Sequence, residues 1–167
     1  MEHSNYALTF NSGLAATCTI MNTLGKGDHL LVVDDVYGGV QRFLRDMLGP
    51  HSDVDVTFLD FNKTDEFKKS LKPNTKIVWL ESPTNPTLKM FDIKKIAGIV
   101  HASSKAIVCV DNTFMSPVNC NPILLGADVV MHSITKFIGG HSDVIAGCLC
   151  MNSRALYDQL FNNTKLM

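Results

Sequence analysis

The sequence predicts an α/β domain with a mostly parallel sheet. Six short apolar runs, rich in Val, Ile and Leu, are separated by stretches with helical periodicity. The runs mostly lack the alternation of a half-exposed strand, which is typical of strands buried on both faces of a parallel sheet. Strands that alternate with helices indicate an α/β architecture. The runs cover residues 30–33, 54–59, 77–80, 106–110, 129–131 and 145–151.

Helices and loops are expected between these runs. Residues 92–101 form an amphipathic segment in which Ile93, Ile96 and Val100 lie on one stripe. A first helix is expected to begin at Ser12, with no strand or helix before it. Residues 82–86 are predicted to form a tight loop, because their two prolines cannot lie within a strand.

Composition limits the classes of function. The chain has 167 residues, 46% of them hydrophobic and 19% charged, which is enough for one domain with a core and is not typical of a disordered chain. The net charge is −1, so we expect no nucleic-acid partner. No apolar run is long enough for a membrane span, so we expect no membrane partner. Five scattered cysteines without a secretion signal predict reduced thiols in the cytoplasm.

No metal site is expected. Cys148 and Cys150 lie two residues apart on a predicted strand and lack a second ligand pair at zinc spacing, so core packing is the preferred interpretation. His132 and His141 flank the segment around Lys136. They are interpreted as turn residues or as supports of site residues rather than as metal ligands.

Polar side chains follow four of the six runs. Because ligands bind outside the carboxyl ends of parallel strands, the residues at these ends are the candidates for a site. Asp111 emerges from an apolar run, where a carboxylate is costly unless a positive or hydrogen-bonding group meets it. The alternative is that Asp111 caps its turn. The four segments are residues 34–39, 81–86, 111–114 and 133–136.

Lys136 is a candidate nucleophile. Ser133 and Thr135 precede it and can donate hydrogen bonds to a phosphate, and glycines follow it. A lysine near another cationic group in a partly dry site becomes a nucleophilic amine that condenses with an aldehyde. The alternative is an ordinary solvated lysine.

Two further features complete a candidate cofactor site. The amides of Gly13 and Leu14 at a helix N-terminus can bind an anion, although an ordinary helix start has the same pattern. Tyr37 can stack on a ligand ring or be a core aromatic. An anion site, a stacking ring, a buried carboxylate and an aldehyde-reactive amine are together what pyridoxal phosphate requires.

Several motifs resemble those of the Cys/Met-metabolism pyridoxal phosphate enzymes, the transsulfuration group of the aspartate-aminotransferase fold (fold type I). The resemblance extends from about residue 6 to about residue 160. It implies a three-layer α/β/α domain, the large cofactor-binding domain of that fold. The motifs are residues 12–17, 35–39, 81–87, 110–114, 133–136 and 140–143.

The resemblance also implies roles for single residues. Lys136 would carry the cofactor and move protons, Asp111 would pair with the ring nitrogen, and Tyr37 would stack on the ring and assist in proton abstraction. Asn85 would lie near the ring hydroxyl and Arg42 near the substrate. The phosphate would be held by Gly13, Leu14, Ser133 and Thr135.

The implied reaction is carbon–sulfur cleavage by γ-elimination, in which cystathionine and water give cysteine, 2-oxobutanoate and ammonia. The alternatives are a catalytically inactive cofactor-domain fragment, or the reaction of a related gamma-synthase, beta-lyase or methionine gamma-lyase. We expect residues 1–167 to be a partial cofactor-binding domain without the family's N-terminal arm and C-terminal domain. The resemblance implies a homotetramer, a dimer of dimers.

Overall fold

Seven strands join into one sheet in the computed structural model, which describes residues 1–165. They are β1 (Tyr6–Phe10), β2 (His29–Val33), β3 (Asp55–Leu59), β4 (Thr75–Glu81), β5 (Ile107–Asp111), β6 (Val129–Ser133) and β7 (Gly147–Met151). Their order across the sheet is β1-β7-β6-β5-β4-β2-β3. Neighbouring strands are parallel except at β7, which runs antiparallel to both β1 and β6. The predicted α/β class with a mostly parallel sheet is confirmed.

Helical segments connect the strands. A π-helical stretch (Phe43–Leu48) links α2 to α3, and a 3-10 helix (Pro122–Leu125) precedes β6. The α-helices are α1 (Gly13–Met21), α2 (Gly38–Arg42), α3 (Gly49–Ser52), α4 (Thr64–Ser70), α5 (Ile93–Ser103), α6 (Ser116–Asn119) and α7 (Arg154–Thr164).

Helix α5 corresponds to the predicted amphipathic segment and begins one residue later. Asp92 is its N-cap, and Asp92 Oδ1 accepts a hydrogen bond from the Lys95 N–H at 2.9 Å. The predicted stripe of Ile93, Ile96 and Val100 is buried. Helix α5 packs on β5, whereas α1 packs on β6 and β7 and contacts α7.

The start of the chain corrects one expectation. Residues before Ser12 do form a strand, because β1 pairs antiparallel with β7 at the edge of the sheet. Its side chains alternate between inside and outside: Leu8 is buried, Tyr6 and Phe10 are half-buried, and Ala7 and Thr9 are exposed. This alternation is the pattern of an edge strand with one covered face.

Two other predicted strands differ in detail. The last begins at Gly147 rather than at residue 145, and Ile145 is 75% exposed in the preceding connection. The apolar run at β3 predicts burial on both faces, but β3 is the outermost strand and is only partly buried. The central strands β2 and β4 are almost completely buried, as predicted.

Among residues 1–165, no helix is both long and apolar enough to cross a membrane. The last two residues of the predicted domain, Leu166 and Met167, lie outside the described part of the chain.

Gly147 allows the sheet and α1 to approach each other closely. A Cβ at this position would collide with the carbonyl oxygen of Ser12 and lie 2.8 Å from the Gly13 Cα. These are backbone atoms, so a side chain at position 147 would push α1 away from β7. Gly98 in α5 differs, because no atom of residues 1–165 outside its own helical backbone and chain neighbours lies within 4 Å of the point that its Cβ would occupy.

We expect Gly147→Ala to lower the free energy of unfolding by about 1–3 kcal/mol, since a methyl group must displace backbone. The matched substitution Gly98→Ala should instead raise it by roughly 0.5–1 kcal/mol, because alanine is the better helix former. Urea denaturation of both variants checks the pair. Equal stability of the two variants would contradict the close approach at Gly147.

Candidate active site

The carboxyl ends of β4, β5 and β6 and the N-terminus of α1 enclose a cavity of about 270 Å³. This volume is near the lower end of the range for ligand pockets. The cavity brings together every residue predicted to bind the cofactor, although these residues come from distant parts of the chain. Its lining includes Gly13, Leu14, Tyr37, Asn85, Asp111, Ser133, Thr135 and Lys136.

Arg42 does not share this location. It is exposed on α2 and is not one of the residues that line the cavity. Its expected place near a substrate therefore stays a prediction.

The N-terminus of α1 forms one wall. Ser12 is the N-cap and its Oγ accepts a hydrogen bond from the Ala15 N–H at 3.0 Å. The preceding amides of Gly13 and Leu14 have no acceptor within the helix, because the first turn offers none. A Cβ on Gly13 would lie 2.8 Å from the Ser133 Cβ, so only glycine brings these amides so close to the end of β6. The wall has the donors that an anion needs.

The end of β6 and the turn after it are held by hydrogen bonds between threonine hydroxyls and backbone groups. Ser133 donates its N–H to Thr113 Oγ1 at 2.9 Å. Thr135 Oγ1 accepts from the Ala146 N–H at 3.1 Å and donates to the Ala146 carbonyl at 3.2 Å. Lys136 follows, and its side chain is exposed rather than partly dry as expected. The reason is that Lys136 lies in the long connection from β6 to β7.

Asp111 is buried at the end of β5, and 7% of its surface is exposed. Its Oδ1 accepts a hydrogen bond from the Thr113 N–H at 2.9 Å. Burial raises the pKa of Asp111, while hydrogen bonds from Thr113 and the charge of His132 act in the opposite direction. The local turn contact weighed as an alternative is therefore present, and the same carboxyl lines the cavity.

Glu81 is a site residue that sequence reasoning did not select. It ends β4 in direct register with Asp111, is 5% exposed, and lines the same cavity. Its Oε2 accepts a hydrogen bond from the Tyr37 N–H at 2.9 Å. Burial, with the neighbouring Asp111 carboxyl, raises the pKa of Glu81 from 4.5 to about 8. The available signal was an acidic residue directly after each of two apolar runs.

Tyr37 lines the cavity and is 47% exposed. The alternative interpretation, that Tyr37 is an aromatic residue of the core, is therefore wrong. A Cβ on Gly39 would lie 2.5 Å from the Tyr37 Cε1. Glycine at position 39 therefore lets the ring lie against the start of α2. The lining residues that were not predicted as site residues are Ser12, Thr17, Val40, Glu81, Thr113, Phe114 and Met131.

The two histidines lie in different surroundings. His132 is buried in β6 rather than in a turn, and its Nε2 lies 2.6 Å from Glu2 Oε1. Asn112 donates to the same oxygen at 2.8 Å. The His141 Nδ1 lies 3.1 Å from the Gly139 carbonyl oxygen.

Cys148 and Cys150 are buried in β7, as core packing requires. Within residues 1–165, no group of three or more His, Cys, Asp or Glu side chains is arranged to hold a metal ion.

A site of this composition at the carboxyl edge of a mostly parallel sheet is typical of pyridoxal phosphate-dependent enzymes. Residues at a helix N-terminus, the buried Asp111 carboxyl and Lys136 line one cavity, and this combination of groups is what that cofactor requires. The family model for Cys/Met metabolism PLP-dependent enzymes matches residues 1–167, and the chain belongs to this family. The expected cofactor and the resemblance are thereby confirmed.

Relatives and solved structures agree with this assignment. The chain is 47% identical over 165 residues to putative cystathionine gamma-lyase 2 of Caenorhabditis elegans, covering 96% of this chain and 41% of the relative. A probable cystathionine gamma-synthase of Herpetosiphon aurantiacus is 43% identical over 160 residues, covering 96% and 50%.

The crystal structure of cystathionine gamma-lyase from Lactobacillus plantarum complexed with L-serine matches with a TM-score of 0.95 and 36% identity. The match covers 99% of this chain and 43% of that structure. The expected fold type is therefore confirmed. The chain spans about two fifths of the length of the gamma-lyases that it matches.

Replacing Glu81 by Gln should reduce the dependence of folding stability on pH. The folded state binds the Glu81 proton more tightly than the unfolded state, because its pKa rises from 4.5 to about 8 on folding. The free energy of unfolding of the wild type should therefore fall as the pH rises from about 5 to about 8. Glu81→Gln should become more stable relative to the wild type across that window, as measured by urea unfolding.

Glu66→Gln on the exposed surface of α4 is the matched control and should keep the wild-type pH profile. The free energy of unfolding of Glu81→Gln should still fall somewhat as the pH rises, because the pKa of Asp111 is also raised. Parallel curves for the wild type and Glu81→Gln would show that Glu81 ionises normally.

Proposed function

We propose that this chain is the cofactor-binding part of a carbon–sulfur lyase that cleaves cystathionine by γ-elimination into cysteine, 2-oxobutanoate and ammonia. The observation that carries the proposal is that Lys136 and Asp111 line one cavity at the strand ends. The gamma-lyases among the similar proteins favour this reaction.

The proposed cofactor contacts use groups that the fold already holds. The amides of Gly13 and Leu14 and the hydroxyls of Ser133 and Thr135 would hold the phosphate. The Asp111 carboxylate would accept a hydrogen bond from the ring nitrogen and keep it protonated, and Asn85 would lie near the ring hydroxyl. When bound, pyridoxal phosphate supplies an aldehyde and a ring that accepts an electron pair.

Proton transfer is assigned to Lys136 and Tyr37. The Lys136 amine would remove the substrate's α-proton and return protons later, as a general base and then a general acid. The Tyr37 ring would stack on the cofactor, and its hydroxyl would assist in proton abstraction. Arg42 would contact the substrate outside the cavity described above.

A gamma-synthase is the second candidate, because a probable cystathionine gamma-synthase matches at 43% identity over 96% of this chain. Both reactions would use the cofactor contacts proposed above. A beta-lyase, a methionine gamma-lyase and an inactive cofactor domain stay open as well. A homotetramer and a cytoplasmic location remain predictions, the latter supported by five free thiols.

Purified protein mixed with pyridoxal phosphate should develop a yellow imine absorbance that Lys136→Ala abolishes, since the amine is the group that condenses with the aldehyde. Lys105→Ala, which removes an exposed lysine before β5, is the matched control and should leave the band intact. Absence of the band in the wild type, or its persistence in Lys136→Ala, would refute the proposed site.

Product analysis separates the candidate reactions. With cystathionine, γ-cleavage releases 2-oxobutanoate and cysteine, whereas β-cleavage releases pyruvate and homocysteine. We expect little or no turnover from these 167 residues, because they span only about two fifths of the length of the gamma-lyases that they match. Any residual product that depends on Lys136 should be 2-oxobutanoate. Rapid turnover would show that these residues suffice for the reaction, and pyruvate would contradict γ-elimination.

A further inference from the structure

Glu81 is a buried acid to which the proposed chemistry assigns no task. It ends β4 beside Asp111 and faces the cavity, where Lys136 is the one basic side chain among the described lining residues. The exposed Lys136 amine is reserved for the cofactor aldehyde. A second ionised carboxylate would therefore lie in this cavity without a cation of its own, which is costly in a buried position.

The contacts of Glu81 reach two loops of the site. Its Oε2 accepts from the Tyr37 N–H at 2.9 Å, in the turn after β2. The backbone of Asn85, in the loop after β4, lies close enough to the same carboxyl to influence its ionisation. Both partners are proposed cofactor contacts, and both reach Glu81 through the backbone. One carboxyl thus ties two loops to the end of a central strand.

The neighbouring charges distinguish the two acids. Asp35 faces Glu81 as an additional negative charge and opposes its ionisation. His132 acts on Asp111 from the next strand and favours the ionised form of that carboxyl. Of the two carboxyls, Asp111 is therefore the one suited to hold the negative charge, and Glu81 is the one suited to hold a proton.

We propose that Glu81 is a positioning residue of the cofactor site, which holds the Tyr37 turn and the Asn85 loop in place and, in its protonated form, leaves a single negative charge at the strand ends on Asp111. This inference rests on the proposed function, since it needs the cavity to bind pyridoxal phosphate. It assigns Glu81 no contact with the substrate.

Cofactor titrations of three proteins test the positioning role. Pyridoxal phosphate is added to the wild type, Glu81→Gln and Glu81→Ala, and binding is followed by the imine absorbance and by quenching of Trp79, the single tryptophan. Glutamine keeps an acceptor for the Tyr37 N–H, so its dissociation constant should stay within about threefold of the wild type. Alanine loses that acceptor and should bind about tenfold more weakly.

A double-mutant cycle tests whether Glu81 acts through Tyr37. Tyr37→Ala removes the ring but keeps the backbone N–H. If Glu81 positions that ring, Glu81→Ala should weaken binding much less in the Tyr37→Ala background than in the wild type. Independent effects that simply add would overturn this part of the proposal. Glu66→Ala, an exposed change on α4, is the control and should leave the affinity unchanged.

Infrared spectroscopy tests the protonation state directly. Near neutral pH, the wild type should show the carbonyl band of a protonated carboxyl, and Glu81→Gln should lose it. Retention of the band in Glu81→Gln would assign the proton to another group and overturn the charge assignment. This measurement needs no cofactor, and it stands even if Glu81→Ala fails to fold.

The outcomes separate this inference from the proposed function. No imine absorbance in the wild type refutes the cofactor site and the inference with it. Imine absorbance with equal affinities for the wild type and Glu81→Ala refutes only the positioning role. A tenfold loss in Glu81→Gln would show that a negative charge at position 81 is required, which contradicts the protonated form.

Discussion

The parallel register of β4 and β5 places Glu81 directly beside Asp111, and the arrangement of the site depends on how this pair of buried carboxyls is accommodated. Backbone N–H groups of Tyr37 and Thr113 solvate the pair in place of water. Each donor belongs to a loop that follows a different strand. The need to solvate two acids therefore fixes the paths of loops that also line the cavity.

A second constraint is the distance between α1 and the sheet. Gly13 lies against Ser133 and Gly147 against Ser12, in both cases closer than a Cβ permits. The N-terminus of α1 consequently reaches the end of β6, where its first amides lie beside Ser133. A short turn and two missing side chains thus bring hydrogen-bond donors together at one wall of the cavity.

Apolar runs made the central sheet predictable, because strands buried on both faces need little else to specify them. Strand β1 was missed because its five residues show only the weak alternation of an edge, and its pairing depends on the reversed direction of β7. The site was predictable because the carboxyl ends of parallel strands meet at one edge of the sheet, and the residues predicted to bind the cofactor do line one cavity there. Glu81 was not selected, since its importance depends on the adjacency of β4 and β5, which sequence spacing does not give. The exposure of Lys136 likewise depends on the path of the chain beyond it.

Thr135 and Ala146 join through their backbones and the threonine hydroxyl, so the residues between them form a loop that is tied at its base. Insertions or substitutions within residues 137–145 are therefore insulated from the registers of β6 and β7. The surface beside Lys136 can therefore change in length or sequence while the sheet beneath it stays unchanged.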